Sequence, residues 1–180
     1  MQTLTHGWNI GFRRARTAWQ QDLPALLAFA RDAGFAFIDL GPIDVDVVAR
    51  VREAGLDVGT VDLPDWSALL SPDAGRRKSA VLAAAQRVRS LVGADVTRFL
   101  TVLAPEDPAR PRRENFAAAV ESYRSLAEAA GECGASVLIE GAPGRPPHFA
   151  NLACTPADLR AFLAAVDSPA VGVNFDPSHL

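Results

Sequence analysis

Two carboxylates and one imidazole stand where this sequence could do chemistry. Glu140 ends the apolar run Val137-Leu138-Ile139 and is followed by Gly141, which leaves space beside it. Asp176 ends the run that climbs through Val171, Val173 and Phe175, and His179 follows three residues later. A carboxylate at the edge of a hydrophobic strand is costly unless it is paired, protonated or bound to a cation. Carboxylate oxygens suit Mg²⁺ or Mn²⁺, and an added imidazole widens the choice to Zn²⁺, Co²⁺ or Fe²⁺. A divalent ion held there could bind a hydroxy-carbonyl compound and stabilise the enediolate formed when a proton leaves the adjacent carbon. A carboxylate would move that proton. The plainer alternatives are a Glu140 held by a neighbouring Arg or Lys, an Asp176 that opens an Asp-Pro turn, and a His179 on the surface.

These groups converge only if the chain delivers them to one end of a sheet. Apolar runs predict strands over residues 8–12, 35–40, 56–63, 96–103, 135–139 and 170–175. Helical spacing fills the intervals. Asp22 caps a helix through Arg31, Asp44 a short one stopped at Gly55, and Ser71-Pro72 starts one reaching about Val92. A further helix covers residues 113–132, and Thr155-Pro156-Ala157-Asp158 makes a cap like a capping box, with Asp in place of Glu or Gln. Alternating strands and helices without a hairpin signal predict an α/β fold with a parallel sheet, as a doubly wound sheet or a (β/α)8 barrel. Neither G-x-G-x-x-G nor G-x-x-x-x-G-K-[ST] occurs, which weakens a nucleotide-binding open sheet. In a barrel, Asp39, Asp62, Asp65, Glu140, Asp176 and His179 would share one mouth.

A length of 180 residues and a 49% hydrophobic fraction fit one packed domain over residues 1–180. The net charge of −3 offers no general attraction for nucleic acid. The basic clusters at residues 76–78 and 110–113 read as solvated helix starts or loops, not as a phosphate grip. Two cysteines, Cys133 and Cys154, without C-x-x-C spacing, argue against a disulfide framework or structural zinc. No signal-peptide profile or membrane-length apolar run is visible, so a cytoplasmic protein is expected, with no membrane partner.

The segments I-E-G-A-P at residues 139–143, N-L-A-C-T-P-A-D-L at 151–159 and V-G-V-N-F-D-P-S-H-L at 171–180 resemble the sugar phosphate isomerase/epimerase family. Members have the xylose isomerase-like (β/α)8 TIM barrel, shared with endonuclease IV. The resemblance implies that Glu140 is the strand-five metal ligand and an acid/base, and that Asp176 is the strand-six metal ligand. His179 resembles a histidine that contacts substrate in many members and a metal in some. It further implies a divalent metal cofactor (Mn, Mg, Co or Zn), a small sugar or polyol substrate, and possible homo-oligomers. The family's remaining ligands, a histidine after strand seven and a glutamate after strand eight, have no counterpart here. The chain is therefore expected to be an incomplete barrel of about six βα units lacking strands 7 and 8, with weak or no activity alone.

Lesser candidates surround this centre. His148 could touch substrate from the loop after strand five, Trp66 could wall a sugar pocket, and Trp8 and Trp19 read as core and helix-packing residues. His6 precedes the first strand, on the side away from the site. A phosphorylated substrate would need Arg13 or Arg145 to face the mouth. The competing functions are a catalytically silent fragment or binding protein, and an endonuclease IV-like nuclease. Three histidines and an acidic chain argue against the nuclease, whose zinc cluster is histidine-rich.

Overall fold

A computed structural model describes residues 8–144 and 150–179. Its sheet consists of β1 (Gly11–Arg13), β2 (Phe37–Leu40), β3 (Asp57–Asp62), β4 (Arg98–Thr101), β5 (Ser136–Glu140) and β6 (Val171–Asn174). All five pairings are parallel and the spatial order follows the chain, β1 through β6. A doubly wound sheet reverses direction at a switch point, whereas unbroken sequential order belongs to the (β/α)8 barrel. The architecture is α/β, six consecutive strands of an incomplete TIM barrel. Among the described residues β1 and β6 have one neighbour each and form the edges.

Between the strands lie α1 (Ala18–Gln21), α2 (Leu23–Asp32), α3 (Val45–Glu53), α4 (Ala74–Val92), α5 (Arg112–Glu132) and α6 (Pro156–Val166). Local signals account for most starts. Asp22 accepts a hydrogen bond from the Ala25 amide, and Thr155 and Asp158 form the full capping box. Asp44 begins α3 by position only, because its carboxylate is engaged by Arg87 of α4. α4 departs from expectation, since Asp73, not Ser71, caps it by accepting from the Arg76 amide at 2.6 Å. Two elements were not expected, the single turn α1 and a 3₁₀ turn over Trp66–Leu70. No helix among the described residues is long and apolar enough to cross a membrane.

The core lies where helix stripes meet the sheet. Ile38, Val61, Phe99, Val137 and Ile139 pack with Leu26, Val51, Val88, Leu126 and Phe162, all essentially inaccessible. Tyr123 of α5 is fully buried and shares a 2.7 Å hydrogen bond with the Thr101 hydroxyl. The first strand begins later than expected, and Trp8, expected in the core, is 80% exposed. Trp19 is also partly exposed, stacking edge-on against Phe29 at 5.2 Å.

Candidate metal centre

Register brings the centre together. β5 and β6 pair with Glu140 opposite Asn174, so the two strand ends stand side by side. Asn174 donates from Nδ2 to Glu140 Oε1 at 3.1 Å, which restrains the carboxylate's rotation. Two residues on, the chain turns. The Ser178 amide and hydroxyl both donate to Asp176 Oδ1, at 2.8 and 2.6 Å, and the His179 amide donates to the Asp176 carbonyl at 3.2 Å. That turn swings the His179 ring back, placing Nδ1 3.7 Å from Asp176 Oδ2. One ligand atom each from Glu140, Asp176 and His179 lies within 4.8 Å of the others. The Asp-Pro turn of the plainer reading is thus present, and it is the device that assembles the cluster.

Two opposed effects set the charges. Burial raises the Glu140 carboxyl above its ordinary range, with Arg13 and His179 pulling it down and Asp176 pushing it up. The Ser178 hydrogen bonds hold Asp176 below its ordinary value, so it is ionised at neutral pH. Glu140 and Asp176 are half-buried and His179 is exposed, which leaves the cluster open on one side.

The other strand-tip acids serve different ends. Asp39 accepts from the Thr60 amide at 2.6 Å and the Thr60 hydroxyl at 2.9 Å. This repairs the ladder where the β2–β3 register shifts between Ile38 and Leu40. Asp62 receives both contacts from Arg13 Nη2, at 2.8 and 2.9 Å. Asp65 adopts a left-handed conformation and lies 3.7 Å from Arg76. None of the three joins the Glu140 cluster.

Trp66 does line a cavity of about 970 Å³ together with Glu140, Asn151 and His179, as a wall residue should. His6, Arg145 and His148 lie outside the described residues. Cys133 and Cys154 are free thiols. Asn174 and Arg112 carry roles that the sequence did not single out. Arg112 donates to the Asn151 and Leu152 carbonyls and to Asp158, tying the cavity's far wall to α6. The signal for Asn174 was its place at the end of β6, two residues before Asp176.

Two oxygen or nitrogen ligands across a first-row ion or Mg²⁺ stand at most roughly 4.0–4.4 Å apart, from bond lengths of about 2.0–2.2 Å. The three donor atoms, all within 4.8 Å of one another, would close by less than about 1 Å to meet that limit. Its donor set, two carboxylates and an imidazole, suits Mn²⁺, Mg²⁺, Co²⁺ or Zn²⁺ and leaves coordination positions for another molecule.

A family profile described as xylose isomerase-like TIM barrel matches residues 27–180. Among solved structures, D-psicose 3-epimerase from Clostridium cellulolyticum H10 superposes with a TM-score of 0.74 at 20% identity, covering 92% of this chain and 62% of that one. A 3-keto-D-glucoside 4-epimerase from E. coli gives 0.72 at 18% identity, over 92% and 66%. A family 2 AP endonuclease from Brucella melitensis gives 0.74 at 20% identity, over 95% and 69%. These likenesses establish the fold, and the chain spans 62% of the psicose epimerase's length. No curated protein matches the sequence.

Proposed function

The chain belongs to the xylose isomerase-like TIM-barrel family, and on that premise we propose that Glu140, Asp176 and His179 hold a divalent cation serving the isomerisation or epimerisation of a small sugar or polyol. The observation carrying this reading is the clustering of the three donor atoms within 4.8 Å at the tips of β5 and β6. When bound, the ion supplies Lewis-acid polarisation of a hydroxy-carbonyl group. Asp176, ionised and braced by Ser178, gives a fixed anionic oxygen. Glu140 is the base that takes the proton from the carbon beside the carbonyl, while that bond's electron pair moves toward the carbonyl oxygen. Return of the proton to the neighbouring carbon, with the hydroxyl proton passing to the former carbonyl oxygen, isomerises the substrate. Inversion at a single carbon needs a donor on the opposite face. Trp66 and the apolar cavity wall flank the reacting end.

Chelator-stripped protein titrated with Mn²⁺ tests the reading by calorimetry and paramagnetic resonance. One ion should bind, and Glu140→Gln or Asp176→Asn should each weaken it about tenfold or more. Binding that ignores both substitutions, or no binding at all, would defeat it. The epimerases among the similar structures favour sugar over nucleic acid as substrate. Retention on a DNA column would instead favour the nuclease relative.

A further inference from the structure

A second polar centre shares the rim, built on β1 instead of β5 and β6. Arg13 ends β1, and Arg14 and Arg16 follow in the loop before α1. With Asp62 and Trp66 they line a hollow of about 350 Å³. Arg16, Asp62, Asp65 and Trp66 also line an adjoining one of about 340 Å³. Trp66 is common to both and to the large cavity that holds Glu140 and His179. Trp66 therefore borders all three spaces, and the two centres lie on either side of one residue's reach.

The guanidinium groups there have unused donors. Arg13 contacts Asp62 through Nη2 alone, so its Nε and Nη1 have no partner among the described residues. Arg14 is committed to the Gln20 carbonyl at 3.1 Å and Gln21 Oε1 at 2.9 Å. Arg16 is exposed, and among the described residues it donates no hydrogen bond and joins no ion pair. The Trp66 Nε1–H is buried with no acceptor among them. Three cations thus face a single carboxylate in this hollow. The neighbouring Asp65 is partly answered by Arg76. Concentrated positive charge beside unfilled N–H donors is what an anionic oxygen cluster requires.

We propose that this hollow is an anion subsite, taking the carboxylate or phosphate ester at the far end of a small hydroxy-carbonyl compound whose reacting end lies at Glu140. The inference rests on the preceding reading only for that reacting end. Arg16 is the discriminating cation, because Arg13 is already neutralised by Asp62 and Arg14 is held by its own loop.

The test is calorimetric titration in low-salt buffer freed of divalent ions over a resin-bound chelator, with D-glucuronate and D-ribose 5-phosphate compared with their uncharged parents D-glucose and D-ribose. At least one charged probe should bind about tenfold or more tightly than its parent. Arg16→Ala should abolish that difference, and Arg16→Lys should keep part of it. Both variants alter an exposed side chain, and circular dichroism checks their fold. Discrimination by glucuronate alone assigns a sugar-acid ligand, and by the phosphate ester alone a phosphorylated one. Equal affinity for charged and uncharged probes overturns the proposal, as does discrimination that survives Arg16→Ala. Because the chelator removes divalent ions, a protein that selects the anion but takes up no Mn²⁺ keeps this inference and loses the metal reading.

Discussion

Replacing Arg13 with Leu should make the stability of this protein depend on pH in a way that isolates Asp62. The Asp62 side chain is only 12% exposed, and Arg13 is its ion-pair partner, at 2.8 and 2.9 Å. Burial already raises the Asp62 carboxyl above its ordinary value, against the hydrogen bond and charge of Arg13. Without the guanidinium that rise must grow. Breaking a fully buried pair costs about 3–5 kcal/mol, but the Arg13 side chain is 41% exposed and water replaces part of its contact, so about 1–3 kcal/mol is expected. For a chain of this size that lowers the midpoint of thermal unfolding by roughly 3–9 °C at pH 7.

The sign of the pH effect follows from linkage. A carboxyl with a raised native value binds more protons folded than unfolded, so stability is fully present below the unfolded value and falls as pH rises through the native one. The Arg13→Leu deficit should therefore be large at pH 7 and shrink toward pH 4. Asp62→Asn in the same chain should recover most of it, because the amide needs no counter-charge. Urea unfolding of wild type, both single variants and the double variant at the two pH values measures the cycle. A deficit equal at both pH values and untouched by Asp62→Asn would refute the electrostatic account and leave only lost packing.

Other contacts give simpler expectations. Gly59→Ala should destabilise by about 1–3 kcal/mol, since a Cβ there would overlap Asp39 Oδ1 and the Phe37 ring; urea unfolding reads it. Thr101→Val strands the buried Tyr123 hydroxyl and should cost about 1–3 kcal/mol in the same assay, with Tyr123→Phe in addition recovering much of it. Arg112→Ala removes the donors to the Asn151 and Leu152 carbonyls, so hydrogen exchange of residues 150–153 should speed up while that of β4 is unchanged. Ser178→Ala deletes the 2.6 Å hydroxyl contact to Asp176 but keeps the amide contact, so Mn²⁺ affinity should fall less than for Asp176→Asn.

What the sequence made legible was local. The Thr155 box and the Asp22 cap involve partners three residues away, and the strand–helix rhythm needs only periodicity. Where burial decided a cap, the sequence reading missed. Ser71-Pro72 was expected to start α4, but Ser71 is buried with its hydroxyl accepting from the Asp73 amide, and Asp73 caps the helix. Trp8 read as core because an aromatic in an apolar run usually is. β1 begins only at Gly11, and nothing among the described residues covers the preceding turn of chain. The Arg13–Asp62 pair spans 49 residues, and no spacing rule reaches that far.

The cluster of Glu140, Asp176 and His179 was legible for a different reason, which also explains why a turn and a candidate site are compatible in it. A carboxylate has two oxygens, and a turn needs one. Asp176 gives Oδ1 to Ser178, and that turn returns His179 toward Oδ2. Parallel register then sets Asn174 opposite Glu140, two residues before the aspartate, so the second carboxylate arrives beside the first with one oxygen already held. Each acid is thus oriented through one oxygen by a group of its own neighbourhood. A one-residue slip of β6 against β5 would carry Asn174 away from Glu140 to the other face, and the Asp176 turn would shift with it. The short motif at the end of the chain encodes a geometry only because the β5–β6 pairing, fixed by Val137, Ile139 and Val171, holds that register.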